Sequence, residues 1–479
     1  MKQTVIRIGF LLSLSATFIS AQFLALKTVP VVTGGQFLIF PSQNAGMGFV
    51  SIAVDDPLGN PFQNPAIKSQ IKKSFIYTTP VISKPGFDEG QTSTIPLGYR
   101  YIGENWHGTF STAIQSIEDF GVTNSWQNNS VSNTSLNDHN NLFAFASMGK
   151  SIRPSDYVGL SVLWAGLDGM QGVNLLYPRS TGVDQSGYLK EIRLGTIKTL
   201  KSGESLETVF LIHEVSMEHK VTYNDWIWGR PSGFRVEDNK DQTITKGFHF
   251  KYKKPFQKNN AVGLIFTYNR KEHPKIPNYD IMNIPRDPGE TDIVNIGFGF
   301  SRNIKDATFG LDFIYEPARS HTWAEAAENI FLRNDKTLFK GSKTIDNKFK
   351  FGNYRLNLGF REKTSKNSEA SFGVSLYNVN YTLEQFDFIL NSERTQNESW
   401  VEKKFTWGAI KHYKKFNLHY NGSLTLGTGA PGTINFNSPN TGALLSDGYT
   451  DFMVAPRGDL TLNEIFLMTH QLTITMPIR

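Results

Sequence analysis

Residues 291–316 read TDIVNIGFGFSRNIKDATFGLDFIYE. Val294, Ile296, Phe298 and Phe300 alternate with Asn295, Gly297, Gly299 and Ser301, and after a short turn Phe309, Leu311, Phe313 and Tyr315 alternate with Thr308, Gly310 and Asp312. Successive strand side chains point to opposite faces, so each segment has one apolar face and one face of glycine and polar groups. A sheet of this kind needs lipid or a core on one side only. The pattern recurs along the chain. Ile95, Leu97, Tyr99 and Tyr101 oppose Gly98 and Arg100; Phe248, Phe250 and Tyr252 oppose His249, Lys251 and Lys253. Tyr354, Leu356, Leu358 and Phe360 oppose Asn353, Arg355, Asn357 and Arg361; Phe416, Leu418 and Tyr420 oppose Asn417, His419 and Asn421. The charged face cannot meet lipid, because Arg or Lys at the bilayer midplane of a barrel costs about 2–4 kcal/mol. It lines a lumen or lies near an interface.

Short polar turns separate these segments at residues 102–107, 152–155, 201–205, 255–260, 303–306, 363–368 and 413–415, as hairpin connections do. Between the hairpins run longer connections at 118–140, 165–188, 225–243, 271–290, 320–344 and 427–459. Short turns on one side and long loops on the other are the asymmetry of a transmembrane barrel. With a first strand over 75–82 and a last over 465–478, the expectation is all-β: a closed antiparallel transmembrane β-barrel of about sixteen strands, fourteen being the other count. A large soluble antiparallel protein with one solvated face competes with this reading but gives no reason for the loop asymmetry.

The start of the chain reads as an export signal over residues 1–21. Lys2 and Arg7 precede an apolar stretch over 8–19, then Ser20 and Ala21 precede Gln22. No later stretch approaches the roughly 18 consecutive apolar residues of a spanning helix. The 479 residues contain no cysteine, which excludes thiol chemistry and a disulfide framework, and mean hydropathy is −0.31. Aromatic residues make up 13% of the chain, which fits interfacial girdles and lipid-facing rings, although a soluble β-sandwich or propeller could also carry many. The net charge of +6 is mild and its Lys and Arg are dispersed, so no nucleic-acid partner is expected. In the connection at 320–344, Thr322 and Glu325 stand at capping-box spacing. Trp323, Ala326, Ala327, Ile330 and Phe331 follow at helical spacing, which predicts a short loop helix.

Residues 22–73 do not read as barrel wall. They contain Asn44-Ala45-Gly46-Met47-Gly48, then Ala53, Asp55 and Asp56, then Asn64-Pro65-Ala66. The order and spacing of these three motifs resemble the N-terminal signature of the FadL-like family of outer-membrane transporters, which includes the PorV-type proteins of Bacteroidota. Residues 57–63 (PLGNPFQ) depart from the small residues of that family, and Arg479 replaces a terminal aromatic residue.

The resemblance implies an N-terminal luminal hatch over 22–73, a barrel over 74–479, and outer-membrane placement in a Gram-negative bacterium after signal cleavage. It implies passive passage of a hydrophobic small molecule of fatty-acid or hydrocarbon type, with lipid around a monomer and no cofactor. The alternative is a PorV-type secretion or assembly factor that binds an exported protein, and the third is an exported soluble all-β binding protein. Asp55 and Asp56, expected to be buried, need donors from backbone amides or from Arg100, Arg355 and Arg361, unless they cap turns. Arg100, His249, Lys251, Asn353, Arg355, Arg361 and His419 are the expected polar lining.

Enzyme and metal readings fare poorly. His213 and His219 lie six apart in a strand, about 20 Å at 3.3 Å per residue, too far to share an ion. Gly427, Gly429 and Gly432 mimic a dinucleotide fingerprint, but Pro431 intrudes and no helix follows, so they read as an external loop. No Gly-x-Ser-x-Gly elbow occurs. A serine paired with His249, His412 or His419 is the residual hydrolase reading.

Overall fold

The computed structural model describes residues 40–478 apart from 69, 86–90, 121–135, 170–179, 228–229, 274–288, 327–328, 333–335 and 431–462. The export-signal reading over 1–21, the first part of the expected hatch and Arg479 lie outside the described residues.

The wall is a single antiparallel sheet closed into a ring of sixteen strands. The first, β1, is interrupted: Phe75–Thr78 and Val81–Pro85 lie in one line. Then come β2 (Gln91–Ile102), β3 (Trp106–Phe120), β4 (Leu136–Arg153), β5 (Asp156–Leu167), β6 (Ser180–Thr199), β7 (Ser205–Ile227) and β8 (Arg230–Phe256). The second half comprises β9 (Asn260–His273), β10 (Gly289–Ile304), β11 (Ala307–Glu325), β12 (Lys343–Ser365), β13 (Ser368–Asp387), β14 (Ser392–His412), β15 (Asn417–Ala430) and β16 (Asn463–Pro477). Each strand pairs with its neighbours in the chain. The ring closes where β1 pairs with β16 on one side, Phe75 opposite Pro477, and with β2 on the other, Phe75 opposite Arg100. Closure removes the unpaired edges that lipid could not satisfy.

The side chains sort as the alternation predicts. On β2, Ile95, Leu97, Tyr99 and Tyr101 are exposed while Arg100 is fully buried; on β10, Ile296 and Phe298 are exposed while Ile293, Asn295 and Ser301 are buried. The exposed apolar face is the outer surface of the ring, where hydrocarbon takes the place of a core. It ends abruptly toward the long loops. Outward Tyr268 donates its hydroxyl to Asp292 at 2.6 Å, and one pair further on Arg270 meets Glu290.

All seven short turns of the sequence join consecutive strands at one end of the ring. At the other end three expectations fail. The described residues of the connection over 225–243 are strand, because β7 and β8, of 23 and 27 residues, run far beyond the 9–11 residues that span a bilayer. Above the lipid nothing forces one face to be apolar, so the extended hairpin has no alternation to betray it. The helix over 322–332 is absent: β11 continues to Glu325, and Ile330–Phe331 pairs with Thr337–Leu338 in a small hairpin. Pairing with β12, where Trp323 lies opposite Asp346, outweighs a four-residue capping signal. Gly427 and Gly429 lie in β15, not in a loop; Gly432 lies outside the described residues.

Candidate functional site

Residues 42–68 contact the ring on nearly every side, which a short segment can do only from inside it. Followed along the chain, they trace the inner circumference. Near β15, Asn421 reaches the Ser42 carbonyl. Gly48 N–H donates to Thr406 of β14 at 2.8 Å. Ser51 N–H donates to Asp312 of β11 at 2.7 Å and Ile52 N–H to the same carboxylate at 3.2 Å. Ser301 of β10 donates to the Ala53 carbonyl, and Lys251 of β8 to the Ser51 carbonyl at 2.9 Å. Asn64 donates to the Thr196 carbonyl of β6, and His107 of β3 lies 3.3 Å from the Pro65 carbonyl. Arg100 of β2 binds the Ile67 carbonyl and, at 2.6 Å, Thr109. A segment with little regular structure thus satisfies its backbone on wall side chains.

Glycine makes the close approach possible. Ala45, Gly46 and Met47 form a buried 3-10 turn ended by Gly48 in the left-handed region, φ 67°. A side chain at Gly359 or Gly373 of the wall would strike the backbone of Met47 and Gly48.

The expected site residues scatter around this track. Asn64 Oδ1 accepts Ala66 N–H at 3.0 Å, which folds the Asn-Pro-Ala turn on itself, and Ala66 is buried. Asp56 accepts the amides of Leu58, at 3.0 Å, and Gln43, at 3.1 Å. Burial pushes its carboxyl above the usual range, against the pull of Ser42, these amides and Arg361. Asp55 is not buried: its side chain is 44% exposed and pairs with Lys253. The chain at Asp55 faces the short-turn opening, where water reaches it. Arg361 donates to Gln43 at 3.2 Å, and Arg355 lies 4.5 Å over the Tyr377 ring instead of near either aspartate. His249 bonds Thr267 and His412 bonds Asn417; His419 is buried in the lining. His213 meets Glu191 at 3.1 Å, and Glu191 also holds Arg193, an ionic cluster in place of a metal site.

The lumen has two unlike sides. One is polar: Glu316 accepts Asn295 at 3.0 Å and Tyr377 at 2.8 Å, with Asn353 beside them. The other is apolar: Phe143, Phe145, Leu163, Ala165, Leu167, Leu189 and Met217 face inward from β4 to β7. Phe62 packs on Phe145 with ring centroids 4.0 Å apart, and Phe40 packs on Tyr77 at 5.1 Å. An inward apolar strip has no lipid to face, so it is built for the filling or for something that passes beside it.

Next to it the wall is weak. Between Thr78, opposite Leu97, and Val81, opposite Thr94, Thr79 and Pro80 make no ladder pair with β2. Pro96, which the register places opposite Thr79, lacks an amide hydrogen, while the Pro80 carbonyl faces the other way and accepts Leu472 N–H of β16 at 3.0 Å. Thr78 Oγ1 donates to the Pro96 carbonyl instead, and Thr79 bonds Thr473 of β16. The gap is flanked outside by exposed Ile95 and Leu97 and inside by Tyr77.

A closed sixteen-strand barrel with an apolar belt outside and its own N-terminal segment bound inside is a transmembrane β-barrel with a filled lumen. No family model matches the chain, and no curated protein does. Among solved structures it is similar to the Ralstonia pickettii toluene transporter TbuX, at 11% identity and TM-score 0.43, over 92% of this chain and 98% of that one. It is also similar to the CymD monoaromatic hydrocarbon channel, at 10% identity and TM-score 0.41, over 92% and 98%. The ferric-catecholate import receptor Fiu of E. coli K12 follows at 8% identity and TM-score 0.39, over 84% and 82%. Hydrocarbon channels and an iron receptor score alike, so these likenesses choose no cargo.

Sequence reasoning missed Asp312, Ser301 and Thr406, the wall groups that hold the segment. Their one signal was a polar residue among glycines on the inward stripe.

Proposed function

We propose that this protein is an outer-membrane transporter that passes hydrophobic small molecules of fatty-acid or hydrocarbon type by passive diffusion. In this reading residues 22–73 are the hatch, delivered with the barrel after an export signal over 1–21. The observation that carries it is the inward apolar strip from Met217 to Phe145, which descends to the Phe40–Tyr77 contact beside the stretch at Thr79 and Pro80 that lacks ladder pairs with β2. An apolar solute gains roughly 25 cal/mol for each Å² it removes from water, so such a strip holds it where a polar pore would not. No energy source is needed for a molecule that partitions down its gradient.

The test is uptake of a labelled long-chain fatty acid and of toluene into vesicles carrying the purified barrel. A Pro96→Val variant restores the donor missing from β2 at this gap and should slow uptake several-fold while the ring stays folded. Uptake no faster than in protein-free vesicles would refute transport. A second reading, a secretion factor that docks an exported protein, is favoured by the exposed Phe331, Phe339, Ile389 and Leu390 at the long-loop end. It predicts normal uptake but lost secretion when these four become serine.

A further inference from the structure

The two rims of the barrel carry their charge differently. At the long-loop rim, outward-facing charges neutralise one another: Arg270 with Glu290, Lys246 with Glu272, and Lys350 with Glu384. At the short-turn rim positive charge predominates. Arg153, Lys201, Lys258, Lys305, Lys366 and Lys414 stand in the second to the seventh turns, joined by Lys363 in the sixth and Lys415 in the seventh, all exposed. The exposed carboxylates in these turns, the first turn and the adjoining strand ends are Glu104, Asp306 and Glu362. Among the described residues the outward ion pair at this rim is Lys254 with Glu204, 3.1 Å apart.

The cations lie at the level of a membrane boundary. Lys150, on the lipid-facing side of β4, places its ammonium 4.9 Å from the ring of outward Trp106. Arg153 follows exposed Ile152, Lys305 follows exposed Ile304, and Lys414 follows exposed Tyr413. An apolar side chain next to a cation at a strand end fits the edge of the hydrocarbon, where the first stays in the chains and the second reaches the headgroup. Water alone would leave Ile152 and Ile304 exposed for no gain, and a soluble acidic partner would have no use for them.

We propose that the short-turn rim binds anionic phospholipid headgroups of the leaflet it adjoins, with the turn cations taking the phosphates. Each cation near an anionic surface favours it by a factor on the order of five, and salt screens the attraction. The rim therefore selects its own lipid shell on one side of the membrane.

The test uses the full chain in phosphatidylcholine vesicles with trace spin-labelled phosphatidylglycerol or phosphatidylcholine. The motionally restricted fraction of each label gives their relative affinity. The wild type should prefer phosphatidylglycerol by about five-fold, and the preference should fall toward parity in about 1 M salt, where the Debye length is about 3 Å. A variant with Arg153, Lys201, Lys258, Lys305, Lys366 and Lys414 all changed to Gln should lose most of it, with folding confirmed by heat-modifiable migration. A Lys246→Gln/Arg270→Gln variant at the opposite rim should keep it. A wild type without preference, a preference unmoved by salt, or a folded six-site variant that retains it overturns the proposal. The salt titration decides the matter alone if the six-site variant does not fold.

Discussion

Asp312 is the wall group whose removal should most clearly free the luminal segment. Its carboxylate is 1% exposed and accepts the adjacent amides of Ser51, at 2.7 Å, and Ile52, at 3.2 Å. Hydrogen bonds to a charged group contribute about 1.5–3 kcal/mol each. Asp312→Ala removes both and leaves two buried donors, a loss of at least about 3 kcal/mol. At about 1.4 kcal/mol per factor of ten, local opening of residues 48–54 should become about a hundred-fold more frequent. Lys251 still holds the Ser51 carbonyl at 2.9 Å, so the segment should loosen in place. Asp312→Asn keeps one acceptor oxygen without the charge and should show roughly half the effect in free energy. Hydrogen exchange of peptides covering 47–55, read by mass spectrometry, measures the opening, and heat-modifiable migration shows that the ring is intact. Unchanged protection in an intact Asp312→Ala barrel would refute the view that this carboxylate fastens the segment.

Three further perturbations test other parts of the account. Gly373→Val puts a branched side chain where the backbone of Met47 and Gly48 lies; exchange over 45–50 should rise while the ring still migrates as folded, and unchanged exchange would count against the close approach. Ile296→Arg, on the lipid-facing stripe, should cost about 2–4 kcal/mol in a denaturant titration of the barrel in vesicles; a cost near zero would mean that this stripe does not meet hydrocarbon. Asp56 has its folded value raised by burial, so its stabilising contribution is complete below the ordinary aspartate range and is lost as pH rises through the raised value. Protection of residues 43–58, corrected for intrinsic exchange, should therefore be higher near about pH 4 than near about pH 7. Asp56→Asn should flatten this difference.

The wall was legible because lipid imposes a rule on every second residue. Val294 to Phe300 could be read without knowing what lay beside them, and the seven tight turns stood out as polar breaks in that rule. Beyond the lipid the rule lapses, which is why 225–243 reads as a loop although its described residues are strand. The helix over 322–332 failed for a related reason: local spacing at Thr322 and Glu325 competes with a ladder to β12 that no local pattern reveals. The luminal contacts are less legible still. Ser51 and Asp312 are 261 positions apart, and nothing near either names the other. Asp55 and Asp56 are adjacent and look equivalent, yet one faces water beside Lys253 and the other is enclosed by its own turn.

Ser74 marks where filling becomes wall, and it also ties the knot. Its carbonyl accepts the amide of Ile478 at 2.8 Å, and its hydroxyl accepts the amide of Ile102 at 3.0 Å. Capture of the interior and sealing of the cylinder thus meet at one serine, and shortening the C-terminal end would unlace both.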